Sequence, residues 1–431
     1  MNIFDDMRVM DRREFLWKMG TVAVSTFLFK GTSRAAAPTV SMLEWQHFVP
    51  TRDPELKRQV AAWAKSRGVN AKVDFIDLRR MPAVLAAEVE ARKGHDIANF
   101  FNFSAALHKQ NLVDMDDVAE ELGGKYGPWL QGAVDCVKLD GRWKAIPMNY
   151  QSLLANINVD NWKKIGMSTE DVMKLNWDGL LEKAKELHKI GHPIGLVIAE
   201  DFDSYSSIYP LLLSFGGKPI DENNKIVIDS PQTRQALEYA RELFPYMPRE
   251  MLGWDGGGNN RFILSGVGSW TPNPPSIWAV AKLKKLHIAE KIDHVPMPAG
   301  PAGRFRGADF NNLGIWKFSP NIELAKDLIK FLMSKGQLDK HLEAAMGYNQ
   351  PTLAAYDKLT IWKDQKALRY YHPPVETTIH QLWPAKPSPA LQISYNLLVL
   401  PIMFIKAVTN RLSINDSVKW AEKQFKRIYT I

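Results

Sequence analysis

The 431-residue chain contains a single cysteine, Cys136, so neither an internal disulfide nor a thiolate zinc site is available to it. Its apolar stretches, Met19 to Phe29 and Leu397 to Ile405, are too short to cross a ~30 Å bilayer as helices. No run of five or six like charges occurs: Lys and Arg interleave with Asp and Glu, as in Glu182-Lys183-Ala184-Lys185-Glu186. The net charge of +8 is thereby spread over a solvated surface, and a nucleic-acid partner is not expected. Internal repeats and low-complexity tracts are missing too. So are the GxxxxGK[ST] phosphate loop, the GxSxG elbow, HExxH, and GxGxxG after a strand, which removes the common nucleotide, hydrolase and zinc-protease readings. His188 and His192 stand four apart, but Gly191 and Pro193 break the helix there and no third ligand accompanies them, so no metal or cofactor is called for. Gly256-Gly257-Gly258 lacks the lysine and preceding strand of a phosphate cradle and reads as a loop at a cleft edge.

What is present begins with an address. Arg12-Arg13-Glu14-Phe15-Leu16, a short apolar core and Ala35-Ala36-Ala37 form a basic region, apolar region and small-residue cleavage site in that order. Residues 1–37 therefore read as an export signal of twin-arginine type, although Asp11 and Trp17 replace the residues usual there. The expected destination is the periplasm. The segment carries six basic and four acidic residues, so the remainder keeps a net charge of +6.

Beyond residue 38 the pattern alternates. Thr39 to Trp45 predicts a strand, and Asp53-Pro54 opens a helix with Leu56, Val60, Trp63 and Ala64 inward, closed by Gly68. Ala71 to Ile76 predicts a strand, Met81 to Arg92 a helix and Asp96 to Phe101 a strand. Such a β-α-β-α-β order implies a mostly parallel sheet flanked by helices, with ligands beyond the carboxyl ends of its strands. A second α/β stretch follows: a helix over Trp177 to His188, a strand over Gly195 to Ala199, and helices begun by Ser230-Pro231 and Ser319-Pro320.

The chain is rich in aromatics, with 14 Trp, 12 Tyr and 19 Phe. Many stand among turns and polar residues, as Trp45, Tyr150, Tyr205, Trp270 and Tyr348 do. Aromatic faces stack on sugar C–H surfaces or on organic cations, and neighbouring amides and carboxylates satisfy hydroxyls. The stacking candidates are Trp45, Tyr150, Tyr205, Trp270 and Tyr348. The polar candidates are His47, Asn102, Asn149, Asp203, Asn259, Asn260, Asn273, Asp309, Asn311 and Gln350.

Several segments carry a family resemblance. Leu139-Asp140-Gly141-Arg142-Trp143-Lys144-Ala145-Ile146-Pro147 precedes Leu154-Ala155-Asn156-Ile157-Asn158. Asn176-Trp177-Asp178-Gly179-Leu180, Phe215-Gly216-Gly217 with Ile228-Asp229-Ser230-Pro231, and Phe262 to Gly266 with Gly268-Ser269-Trp270 follow in order. Leu313-Gly314-Ile315 leads to Ala325-Lys326-Asp327-Leu328-Ile329-Lys330-Phe331-Leu332. Each is weak alone; in this order over some 300 residues the chain resembles the extracellular solute-binding proteins of bacterial ABC importers. The resemblance is to the large sugar-binding group related to maltose-binding protein. It implies an α/β, two-lobe periplasmic-binding-protein fold of type II-like form, with hinge-connected lobes and the ligand between them. On that pattern residues 38–147 and 313–358 make lobe one, and 148–312 and 359–431 make lobe two. It implies a monomer that binds a carbohydrate or polyol without chemical change and presents it to a membrane permease. Two alternatives stay open: the same fold holding a polyamine or other organic cation, and a secreted glycoside hydrolase with two spaced carboxylates. The loop Trp254 to Asn260 and Asn273-Pro274-Pro275 depart from the family pattern, so a maltose preference is not carried over.

Overall fold

The computed structural model describes residues 37–356, 359–371 and 378–430; the export signal read at 1–37 lies, Ala37 apart, outside them. Twelve strands occur among the described residues. These are β1 (Thr39–Trp45), β2 (Asn70–Ile76), β3 (Ile97–Phe101), β4 (Lys138–Leu139), β5 (Arg142–Trp143), β6 (Ile146–Ser152) and β7 (Leu154–Asn158), followed by β8 (Trp270–Asn273), β9 (Ile292–Val295), β10 (Arg306–Ile315), β11 (Gln350–Pro351) and β12 (Thr378–His380). The larger sheet runs β11-β6-β10-β3-β1-β2, with β12 also on β10, and the smaller one runs β8-β7-β9.

The first stretch follows the sequence closely. Strand β1 is parallel to β2 and β3, and its buried Val40, Met42, Leu43 and Trp45 show a strand covered on both faces. The helix Arg52–Arg67 ends on Gly68 at φ 66, and Met81–Ala91 ends on Arg92 at φ 48. Both are left-handed caps that stop a helix by turning its last carbonyls toward new donors. The helix Trp177–Lys189 and the Ser230-capped Pro231–Leu243 also form as read. The helix after Ser319-Pro320 starts slightly later, at Ile322, because Ser319 Oγ donates to Asp96 Oδ1 and accepts from the Asn321 N–H.

One expected strand does not form. Only Ile194, by a single bridge to Trp270, pairs near the Gly195–Ala199 segment. The following amides go elsewhere: Leu196 N–H to Met247 Sδ, Val197 N–H to Ser207 Oγ and Ala199 N–H to Ser204 Oγ. An apolar run flanked by buried hydroxyls can satisfy its backbone without a ladder, and periodicity cannot distinguish the two.

Two adjacent strands connect the sheets. Strand β6 leaves the larger sheet and, through Leu153, becomes β7 of the smaller, while β10 brings the chain back antiparallel to β6. Leu153 N–H donates to Gly307 O at 2.9 Å, so the two crossings are joined. A Cβ on Gly307 would stand 3.0 Å from Leu153 Cδ1, which explains glycine there. The expected boundaries at 147/148 and 312/313 fall inside β6 and β10, which hydrogen-bond in the larger sheet on both sides of those points. Strand β12, assigned by sequence to lobe two, pairs with β10 in that sheet.

The C-terminal helices Pro389–Asn396, Val399–Val408 and Ile414–Tyr429 pack on one another, and the last two also pack on Pro231–Leu243. Val399, Leu400, Met403, Phe404 and Ile405 are buried, as the short apolar run requires. Among the described residues no single helix is long and apolar enough to cross a membrane.

Candidate functional site

The carboxyl ends of β1, β2 and β3 open onto a cavity of about 370 Å³. One wall comes from these ends and the larger sheet: Trp45, Gln46, His47 and Phe48 after β1, Asp77 to Arg79 after β2, Phe101 of β3, Asp309 of β10, and Tyr348. The other comes from loops beside the smaller sheet: Asp201 to Asp203, Ser206, Asp255 to Gly257, Arg261, Asn273 and Pro274, with Tyr395 at the junction.

The first wall is aromatic and held from behind. Trp45 stands 4.9 Å from His47, 5.5 Å from Phe48 and 6.5 Å from Tyr348, centroid to centroid. His47 is fixed by a chain of bonds: its Nδ1 accepts from Val49 N–H, and its Nε2 meets Asn349 Oδ1 at 2.8 Å. Asn349 in turn reaches His341 Nε2. Burial, reinforced by Arg52, pushes His47 down to about 3, so the ring is neutral and carries its proton on Nε2. Arg52 itself is buried and pairs with Glu44 at 2.7 Å, while Glu44 also accepts from Asn99 Nδ2. Phe48 is exposed at the rim, where it faces the opposite wall: a Cβ on Gly256 would lie 3.4 Å from its ring.

Carboxylates line both walls. At the rim two exposed arginines are each paired, Arg79 with Asp77 at 2.9 Å and Arg261 with Asp255 at 2.8 Å. These pairings hold the Asp77 and Asp255 carboxyls below their usual range, led in each case by the arginine hydrogen bond. Deeper in, Asp203 Oδ2 accepts from Asn259 Nδ2 at 2.8 Å and Asp309 Oδ1 from Asn102 Nδ2 at 2.9 Å. Asp201 Oδ1 accepts from the Asp203 N–H. Burial raises all three carboxyls: Asp309 to about 6, Asp203 well above its ordinary value with help from Asp201 and Asp309, and Asp201 more modestly.

Of the residues singled out by sequence, Trp45, His47, Asp203, Asn273, Asp309 and Tyr348 line this cavity. Asn102 and Asn259 stand behind it as the amides that hold its two carboxylates. Asn260 bonds to Ser276 Oγ and accepts from Asn273, bracing the loop rather than lining the cavity. Tyr205 is buried beneath Tyr395, stacked at 4.3 Å. Trp270 does not reach the cavity either: it is buried in β8, edge-on to Trp177. The remaining four lie inside the larger sheet. Asn311 donates to Asn149 Oδ1, Ser152 Oγ donates to Gln350 Oε1, and Tyr150 stacks on Phe310. A polar or aromatic residue in a turn-rich sequence thus proves as apt to brace the crossing strands as to face a ligand.

Sequence reasoning passed over Phe48, Asp77, Arg79, Asp201, Asp255, Arg261 and Tyr395. The strand-end rule applied to β2 as well as to β1 and β3 points to Asp77-Leu78-Arg79. The glycine loop was read at a cleft edge, but its acid and base neighbours were left out; Tyr395, in a C-terminal helix, carried no local signal.

Two sheets joined by adjacent crossovers, with an aromatic and carboxylate-lined cleft between, define a two-lobe α/β binding protein. Residues 50–338 match the family described as bacterial extracellular solute-binding protein, and the chain belongs to that family. An arabinooligosaccharide-binding protein of Bacillus subtilis (strain 168) is 22% identical over 316 residues, covering 71% of this chain and 68% of that one. Among solved structures, maltose-bound MalE3 of T. maritima is 22% identical, with a TM-score of 0.77 over 91% of this chain and all of that one. A solute-binding protein of Agrobacterium radiobacter K84 in complex with ribitol is 15% identical, with a TM-score of 0.76 over 91% of this chain and 99% of that one.

Proposed function

We infer that the protein is the substrate-binding component of an ABC importer and carries a carbohydrate or polyol without changing it chemically. The observation that carries this reading is the cleft itself: aromatic rings on one wall, hydrogen-bonding carboxylates and amides on the other, in a chain of this family. A sugar presents apolar C–H faces and a rim of hydroxyls, and the two walls match those two surfaces. Arabinooligosaccharide, maltose and ribitol binding by the similar proteins supports the ligand class. Trp45, Tyr348 and Phe48 would stack on the ring, and Asp203, Asp309 and Asn273 would take hydroxyls. Closure about the Leu153–Gly307 crossing would bury the ligand and shape both lobes for a permease. The export signal read at residues 1–37 supports a periplasmic destination, where we propose that the mature chain acts as a monomer. The family role favours binding over catalysis, and the hydrolase reading has no observation of its own.

The test is a thermal-shift and calorimetric screen of the mature protein against arabino- and malto-oligosaccharides, pentoses, hexoses and polyols. A ligand at ~100 times its dissociation constant adds about 2.7 kcal/mol of stability. A shift with a sugar or polyol recovered unchanged is the expected result. Release of new reducing ends, or a shift with amino acids alone, would defeat the reading.

A further inference from the structure

The charge on this protein is distributed against expectation. The chain is basic overall at +8, yet its cleft is lined by five aspartates against two arginines. Both arginines stand at the rim and each already has an aspartate, Asp77 or Asp255. That leaves Asp201, Asp203 and Asp309 without an ion pair among the described residues. The last two come from opposite walls, open onto the same cavity, and are held by neutral groups, Asp203 by Asn259 and Ser206 and Asp309 by Asn102 and Gln381. Trp45 lines the same cavity, and its buried indole N–H has no acceptor; being a donor, it calls for a ligand oxygen, as the carbohydrate part would supply, and not for a cation.

Like charges facing each other in a desolvating cleft repel, and closing the lobes removes more water from both. Hydroxyl groups answer such a pair with dipoles only. An ammonium answers it with the opposite charge and with several donors directed to more than one carboxylate. The aromatic wall suits that ligand equally well, since ring faces attract cations as well as C–H surfaces. We propose that the cleft is built for a carbohydrate or polyol bearing a cationic nitrogen, an amino sugar or aminated polyol, whose ammonium sits between Asp203 and Asp309. This rests on the carbohydrate reading and narrows it. Burial raises both carboxyls, and a cation between them would offset that cost.

The experiment is calorimetry at pH 7 with matched trios: glucose, glucosamine and N-acetylglucosamine; galactose, galactosamine and N-acetylgalactosamine; cellobiose, the glucosamine disaccharide and its diacetyl form. Putrescine and spermidine are run beside them. In at least one trio the free amine should bind 30-fold or more tighter than both its neutral parent and its N-acetyl form. Asp203→Asn should weaken the amine at least tenfold more than it weakens the neutral parent, and equal losses would overturn the inference; Asp309→Asn is a second variant, with melting curves to confirm folding. Neutral parents that bind as well as the amines would overturn the inference while leaving the carbohydrate reading in place. Polyamine binding with every sugar silent would overturn both, and silence throughout the trios would overturn the inference.

Discussion

The two walls of the cleft are made differently. The wall on the larger sheet is a set of rings locked by buried bonds: Trp45, His47 and Tyr348 lie on strand ends or against them, and His47 is tied through Asn349 to His341. The facing wall is made of loops and a helix start, with its charge on Asp201, Asp203 and Asp255. Rings preorganised on strands offer shape, while carboxylates on loops offer charge and direction. Neither wall alone encloses a ligand, and changes to the two walls should fail in distinguishable ways.

The largest effect is expected on the rigid wall. Trp45→Ala should weaken carbohydrate binding about 100-fold, equivalent to ~2.7 kcal/mol, and lower folding stability by about 3–5 kcal/mol, because a buried ring leaves a cavity. Trp45→Phe should keep the fold and lose part of the affinity; calorimetry with melting curves separates the two.

The carboxylate that the larger sheet contributes to the cleft should show the opposite trade. Asp309, raised to about 6 by burial, holds its proton more tightly folded than unfolded. Its contribution to stability is present below the ordinary carboxylate range and is lost as pH rises through about 6. Asp309→Asn should therefore stabilise the empty protein at pH 7, by on the order of 2 kcal/mol, with little gain at pH 4, while weakening ligand binding. Melting temperatures of variant and parent between pH 4 and 7 check the sign. A gain that does not grow with pH would remove the argument.

A smaller effect is expected where the walls meet. Gly256→Leu would press on the Phe48 ring and should weaken binding about 10-fold by hindering closure, whereas Phe48→Ala should cost about 3-fold. The smallest concerns residues that resemble site residues in sequence only. Gln350→Ala should leave affinity within about twofold and cost about 1–3 kcal/mol of stability, since it strands the buried Ser152 hydroxyl.

The same contrast explains what the sequence disclosed. The β1-to-β3 stretch was legible because periodicity, Asp53-Pro54 and Gly68 are local signals that tertiary structure did not override. Gly195 to Ala199 was misread because the groups that satisfy it, Met247, Ser207 and Ser204, come from elsewhere. Of the candidates, Trp45 and His47, at the end of β1, and Asp309 of β10 line the cavity. Trp270 and Asn311 share that chemistry, but Trp270 is buried edge-on to Trp177, and Asn311, on the same face of β10 as Asp309, lies two residues further along the strand and is spent on Asn149. Phe48 and Arg79 were a residue or two from positions already examined, and Tyr395 arrives from the far end of the chain.

The bond between Leu153 and Gly307 has a mechanical consequence. Because the outgoing and returning strands run side by side and are stitched at that point, these two connections between the lobes are coupled as one bearing rather than two independent straps. A side chain at position 307 would stiffen that bearing without touching the ligand, and would be felt as slower capture and release before any change in what is captured.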